Sequence, residues 1–271
     1  MPQNPLATPG PWDDIADDYD EVTVRTLRPF AARALELADP APTARVIDIA
    51  TGPGTLALLA VPKVREVVAV DFAESMIRRL RHTVMRTGAT NVLTGIGDGQ
   101  DLHYPSNRFD AAFSMFGVIF FPDKVKGFAE ILRVLRPGGV AVVSSWAPTA
   151  QSPLMTLLSE TYQAGIPGYV PRKPDPNGLE NPEILEKELA AAGFTDISVE
   201  PFSGSYTFDS VEQLWDAASR GSAPMSLLRA RVDEATWKAQ EQAMIEYLTA
   251  NYTPGTALSS TALLAKAHKP L

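Results

Sequence analysis

The chain has 271 residues, 45% hydrophobic, and a formal net charge of −8 from 24 basic and 32 acidic side chains. That length suits one large α/β domain with elaborations. The acidic balance argues against non-specific nucleic-acid binding, which runs on phosphate neutralisation, and the lack of cysteine excludes disulfides and thiolate metal sites.

The first residues, MPQNPLATPGPWDD, lack a charged n-region and an apolar h-region, so no signal peptide is expected. No stretch reaches the roughly 18 apolar residues of a membrane span. The expectation is a cytoplasmic protein without nucleic-acid, membrane or metal partners.

Residues 1–11 are Pro-rich, and Trp12–Tyr19 is acidic with two aromatics. Val24, Leu27, Ala31, Ala34 and Leu35 keep helical spacing, which predicts a helix over Thr23–Leu37 ending at Asp39-Pro40-Ala41-Pro42. A strand–helix rhythm follows. Val46–Ala50 reads as a strand, and Thr55–Ala60 as a helix stopped near Pro62. Glu66–Asp71 is a second strand, followed by a helix from Glu74 to about Arg86. Asn91–Ile96, Phe109–Met115 and Val140–Trp146 read as three further strands. A helix from Asp123 to Leu135 precedes the last of them, and Arg136-Pro137-Gly138-Gly139 reads as the intervening turn. The alternation implies a parallel sheet, and the β-branched runs suit strands covered on both faces.

The rhythm breaks after Trp146. Residues 147–181 carry many prolines and glycines and read as an insertion or lid loop. Asn181 caps a helix that has Pro182 in its first turn and ends at Gly193. Asp196–Phe208 reads as a long strand. Ser210–Ser219 and Asp233–Ala250 read as helices. Ser260–Ala267 fits a final strand, and by propensity its alanines fit a helix equally well.

The richest stretch is VIDIATGPGTLA at 46–57. Gly52-Pro53-Gly54-Thr55-Leu56-Ala57 matches the G-x-G-x-x-A turn that seats nucleotide-like ligands between a strand and a helix N-terminus. Asp71 ends the next strand, 71 − 52 = 19 positions on, where a carboxylate accepts ribose hydroxyls. Two details turn the reading away from a dinucleotide. Asp48 lies inside the first strand, where a buried carboxylate needs a partner that a cationic ligand would supply. Gly97-Asp98-Gly99 adds a third carboxylate, placed to accept from an adenine amino group. Three carboxylates repel pyrophosphate and suit an adenosyl ligand with positive charge.

These motifs, in this order, resemble the class I S-adenosylmethionine-dependent methyltransferases, most closely the small-molecule branch that includes the ubiquinone/menaquinone methylases. VIDIATGPGT is similar to the family's first motif, VAVDFAESMI to its second, IGDGQDL to its third and FDAAFSMFGVIFF to its fourth. EILRVLRPGG and ALLAKAHKP resemble its later stretches. The resemblance implies an α/β, Rossmann-like fold with a mostly parallel seven-stranded sheet flanked by helices. It implies an N-terminal helical lid over 1–40, a methyltransferase domain over 41–271, an insertion near 147–181 and a helical insertion near 209–255.

It also implies S-adenosyl-L-methionine as cofactor. The Ala50, Thr51, Gly52 and Gly54 backbone would face its methionine part and Asp71 its ribose. Phe72 and Met76 would flank the adenine, with Gly97, Asp98 and Gly99 at its edge. Tyr19 would close over it, and Met115 would border the acceptor. The competing reading of Phe72, Met76, Met115 and Phe116 is plain core.

Phe116, Phe120 and Trp146 read as an apolar acceptor wall. Ser114-Met115-Phe116-Gly117 departs from the Asp/Asn-Pro-Pro-aromatic element of amide and nucleobase N-methylases. The expected acceptor is a small apolar or aromatic molecule methylated on oxygen or carbon, with a small amine as the alternative. His82, His103 and His268 show no pattern of a general base, so no catalytic residue is assigned. An NAD(P)-dependent oxidoreductase, a non-catalytic cofactor-binding protein and an RNA or protein methylase are the other readings. A monomer or homodimer is expected.

Overall fold

Strand β1 (Arg45–Ile49) is buried at every position except Arg45 and runs through the middle of the sheet. The computed structural model describes residues 4–271. β1 pairs in parallel with β2 (Glu66–Asp71) on one side and β4 (Phe109–Ser114) on the other. β3 (Val92–Ile96) extends the sheet beyond β2, and β5 (Leu135–Trp146) beyond β4, both parallel. β7 (Leu258–His268) runs antiparallel between β5 and β6 (Thr195–Tyr206). The seven-stranded order is β3-β2-β1-β4-β5-β7-β6.

Alternation along β1 divides the core. Ile47 and Ile49 pack with Val68, Val70, Phe128 and Ile131 on one face. Val46 packs with Val67, Ala69, Phe30, Ala34 and Leu56 on the other. The first face is covered by α5 (Lys124–Val134) and α7 (Pro182–Ala191). The second is covered by α2 (Val24–Ala38), α3 (Thr55–Ala60) and α4 (Glu74–Thr87). Ahead of α2, α1 (Gly10–Asp18) runs into five residues of π-helix, Tyr19–Thr23, and packs on α4.

A separate apolar cluster builds a cap from α6 (Pro153–Gly165), α8 (Val211–Ser219), α9 (Ala223–Arg229) and α10 (Glu234–Asn251). Leu158, Phe208, Leu214, Met225, Trp237 and Met244 are among its buried members.

Two expectations need correction. Residues Arg136–Gly139 do not separate helix from strand. β5 already pairs at Leu135, and a register shift between Phe109 and Ala111 absorbs Arg136–Gly139 as a bulge within the strand. The 147–181 stretch is not a plain loop, because α6 occupies its first half, with Pro153 in the first turn where no intrahelical donor is lost. The short helix α9 also starts on a proline turn, Ser222-Ala223-Pro224, where the Ser222 side chain accepts from Met225 N–H. The C-terminal ambiguity resolves to strand, since Leu258–His268 pairs on both sides.

Phe30 locks α2 to the sheet. It is fully buried and meets Phe116, Trp146 and Phe202 edge-on, with ring centroids 5.5, 5.7 and 5.6 Å away. Phe30→Ala is expected to destabilise the protein by about 3–5 kcal/mol, read as a lower urea midpoint at unchanged slope. A loss under about 1 kcal/mol contradicts this anchoring role.

Candidate functional site

The strand order reverses between β1 and β4, and a crevice lies at their C-terminal ends. Two loops line it. After β1 the chain turns through Ala50, Gly52 and Gly54 at φ 55°, 57° and 93°. A side chain at Gly54 would collide with Leu80, so α3 can approach α4 only with glycine there. After β4, Phe116 takes φ 60°, a left-handed conformation costing about 1–3 kcal/mol. It is fixed by its N–H donating to Ser144 Oγ at 2.9 Å. A Cβ at Gly117 would run into Ala50, so the two loops touch at their narrowest point.

Asp71 ends β2 and faces this crevice. Its Oδ2 accepts from Gly52 N–H at 2.8 Å and its Oδ1 from Ala73 N–H at 2.9 Å. Burial pushes its carboxyl up to about 6, against the pull of those two donors. Tyr19 packs over Gly52, and burial together with the Asp71 charge raises its phenol well above the usual range.

Asp48 is placed differently from expectation. It lies on the α3 face of β1, and its Oδ2 accepts from the Thr51 hydroxyl at 2.6 Å and Ala57 N–H at 3.1 Å. The chain therefore supplies the partners itself, and no ligand cation is needed. Burial pushes this carboxyl up to about 7. Asp48, Thr51 and Gly54 lie behind the wall, where they shape the turn without lining the cavity.

The crevice widens into a cavity of about 920 Å³. Ala50, Gly52, Asp71, Phe72, Met76, Gly97, Asp98 and Gly99 line one end. Met115, Phe116, Phe120 and Trp146 line the middle. Phe116 stacks on Trp146 with centroids 4.2 Å apart at 22°. Phe116 and Met76 border the cavity and also pack against buried neighbours. Asp98 is exposed, and it accepts from Gln100 N–H at 2.8 Å and Gln100 Nε2 at 3.0 Å.

Several lining residues were not singled out from sequence. Trp12 meets Phe120 edge-on at 5.0 Å and lies beside Tyr19. Its place in the aromatic–acidic stretch was the available signal. Leu154, Leu158, Tyr162, Phe208 and Leu214 form the far end and come from the cap, with no local motif to announce them.

The electrostatics are uneven. The charged lining residues at the Asp71 end are Asp71 and Asp98, while the cationic ones, Arg172 and Lys173, lie on the loop after α6. None of the three histidines lines the cavity. His103 is exposed beside Asp101, 3.9 Å away, and His268 lies on β7 opposite Val140 and Thr195. Among the described residues no cluster of His, Asp or Glu could hold a metal.

The raised carboxyls set a pH dependence of folding. Asp48 and Asp71 hold protons in the native state that the unfolded chain has released. Their contribution is complete below about pH 4 and is lost as pH rises through about 6 for Asp71 and about 7 for Asp48. Asp48→Asn keeps an acceptor for Thr51 and Ala57 without the charge. It is expected to be at least as stable as wild type at pH 8 and less pH-sensitive between pH 5 and 8, in urea melts at a series of pH values. Asp48→Ala should lose about 1–3 kcal/mol. Equal losses for both variants contradict the assignment.

Residues 46–139 match the family model described as a methyltransferase domain. A demethylmenaquinone methyltransferase of Thermus thermophilus is 31% identical over 205 residues, which span 68% of this chain and 91% of that protein. A nocamycin O-methyltransferase of Saccharothrix syringae is 34% identical over 131 residues, about half of each chain at 47%. The fold is similar to that of Haemonchus contortus phosphoethanolamine N-methyltransferase 2, solved in complex with S-adenosyl-L-methionine. That match has a TM-score of 0.58 and 19% identity, covering 96% of this chain and 57% of the other. The Rossmann-like sheet, the glycine turn with its acidic strand end and these relatives converge: the chain belongs to the class I S-adenosylmethionine-dependent methyltransferases.

Proposed function

We propose that this chain methylates an oxygen or carbon of a small apolar or aromatic acceptor, with S-adenosyl-L-methionine as donor. The observation that carries the reading is the carboxylate of Asp71. It faces the cavity, and each oxygen already holds one backbone N–H, leaving further lone pairs for the two hydroxyls of a ribose. The residues around it fit the rest of such a cofactor. Phe72 and Met76 offer apolar contact for an adenine, and the Gly97–Gly99 loop brings backbone close to its edge. The Asp71 end has carboxylates and no cationic lining, which disfavours a pyrophosphate.

When bound, the cofactor supplies a methyl on a sulfonium, which passes to the acceptor while the carbon–sulfur electron pair stays on sulfur. The protein's share is placement and exclusion of water. Ala50 and Gly52 let the backbone approach the reacting end, and Tyr19 with Trp12 roofs the cavity. The Phe116–Trp146 stack, backed by Phe30, gives a flat apolar wall for an acceptor ring. With no histidine in the cavity, the reading favours an acceptor acidic enough to lose its proton to solvent unaided. Relatives named for demethylmenaquinone and nocamycin support a small-molecule acceptor.

Asp71→Ala is expected to weaken S-adenosylmethionine by at least about tenfold, or about 1.4 kcal/mol, in calorimetric titration. Wild-type affinity should fall as pH drops through about 6, because a protonated Asp71 has fewer lone pairs to offer. Asp71→Asn should flatten that profile. Unchanged binding by Asp71→Ala contradicts the assignment. A product-mass screen over phenols, quinones and amines tests the acceptor: mass gains of one methyl are expected on phenols or quinones, and gains on amines alone contradict an oxygen or carbon acceptor.

A further inference from the structure

The roof over the Asp71 end is fastened at two places. On one side it is tied to α4. Ser75 N–H donates to Asp13 Oδ1 at 2.7 Å, and Arg79 pairs with Asp17 at 3.4 Å and Asp20 at 3.0 Å. On the other side it is tied to the cap through one guanidinium. Arg220 follows α8, and its Nη2 lies 2.6 Å from Asp18 Oδ1 and 2.7 Å from Glu21 Oε2. Its Nε also donates to Asp18 at 3.0 Å, and its Nη1 pairs with Asp216 of its own helix at 3.0 Å. Next to it, the Thr23 hydroxyl donates to the Gly221 carbonyl at 3.1 Å, and a side chain at Gly221 would run into Thr23.

Asp18 and Glu21 bracket Tyr19, the residue over Gly52. Leu214, Ala217 and Ala218 of α8 line the far end of the cavity. A single helix therefore faces the acceptor compartment with some residues and holds the roof through the arginine at its end. Each link is partly exposed and weak alone, but the two roof carboxylates, Asp18 and Glu21, share one planar donor fork whose geometry fixes their relative positions.

We infer that Arg220 is a positioning residue that couples the acceptor compartment to cofactor retention, by holding Asp18 and Glu21, and hence Tyr19, against the cap. The inference rests on the reading that the Asp71 end holds the cofactor. By reciprocity, whatever orders α8 also tightens the roof, and an occupied cofactor end orders α8.

The test is calorimetric affinity for S-adenosylhomocysteine, at low and high NaCl, across a set of variants. Arg220→Gln is expected to weaken binding about fivefold. The pair Asp18→Asn with Glu21→Gln, which leaves α8 intact, should do the same, and combining all three changes should add nothing. Arg220→Lys should recover part of the loss. Asp216→Asn removes only the link within the helix and should bind like wild type. Added NaCl should weaken wild type more than Arg220→Gln, since the screened links are already gone in the variant. Wild-type affinity in Arg220→Gln, multiplying effects in the combined variant, or an equal loss in Asp216→Asn overturns the inference alone. No binding by the wild-type protein overturns the cofactor reading, and the inference with it.

Discussion

One carboxylate holds the working end of this molecule together. Asp71 accepts from the turn after β1 and from the turn after its own strand, so it joins the ends of two neighbouring strands. Thr51 N–H donating to the Val70 carbonyl at 3.0 Å adds a second tie across the same gap. A carboxylate buried to this degree is costly unless donors surround it. The glycine turn supplies those donors because it can bring Gly52 N–H around at positive φ. The turn after β1 and the end of β2, which form one wall of the crevice, take their relative position from that join.

The opposite wall is built on a different principle. The loop after β4 carries no charge where it narrows the cavity. It relies on strain at Phe116, one hydrogen bond to Ser144 and aromatic packing on Trp146 and Phe30. Strained backbone persists where its surroundings over-determine it, and three aromatic rings in mutual contact do so here. The cavity is polar and rigidly hydrogen-bonded at one end and apolar with aromatic edges further along. That asymmetry suits two ligands of different chemistry held end to end.

Much of the fold was legible because its signals are local. Strand, glycine turn, helix and acidic strand end fall within 46–71, and the structure places each within a residue or two of expectation. The misread segments share a cause. The prolines of 147–181 read as a loop, yet at the first turn of α6 proline starts a helix, as Pro224 does in α9. Arg136–Gly139 has turn composition but stays in the sheet as a bulge, which only pairing partners reveal. At the site, Asp71, Phe72, Gly97–Gly99, Met115, Phe116 and Trp146 were readable from motif position. Asp48 shows no partner in the sequence because the Thr51 hydroxyl and Ala57 N–H reach it only once the glycine turn is folded. The cap's contribution is set by tertiary packing of four helices distant in sequence, and no motif carries it.

The central claim is that the glycine turn seats an adenosyl sulfonium and not a dinucleotide. Side-by-side calorimetric titration of the wild-type protein with S-adenosylmethionine and with NADH tests it most directly. The account predicts saturable binding of S-adenosylmethionine, weakened in Asp71→Ala, and no measurable binding of NADH. Binding of NADH in preference to S-adenosylmethionine would contradict it.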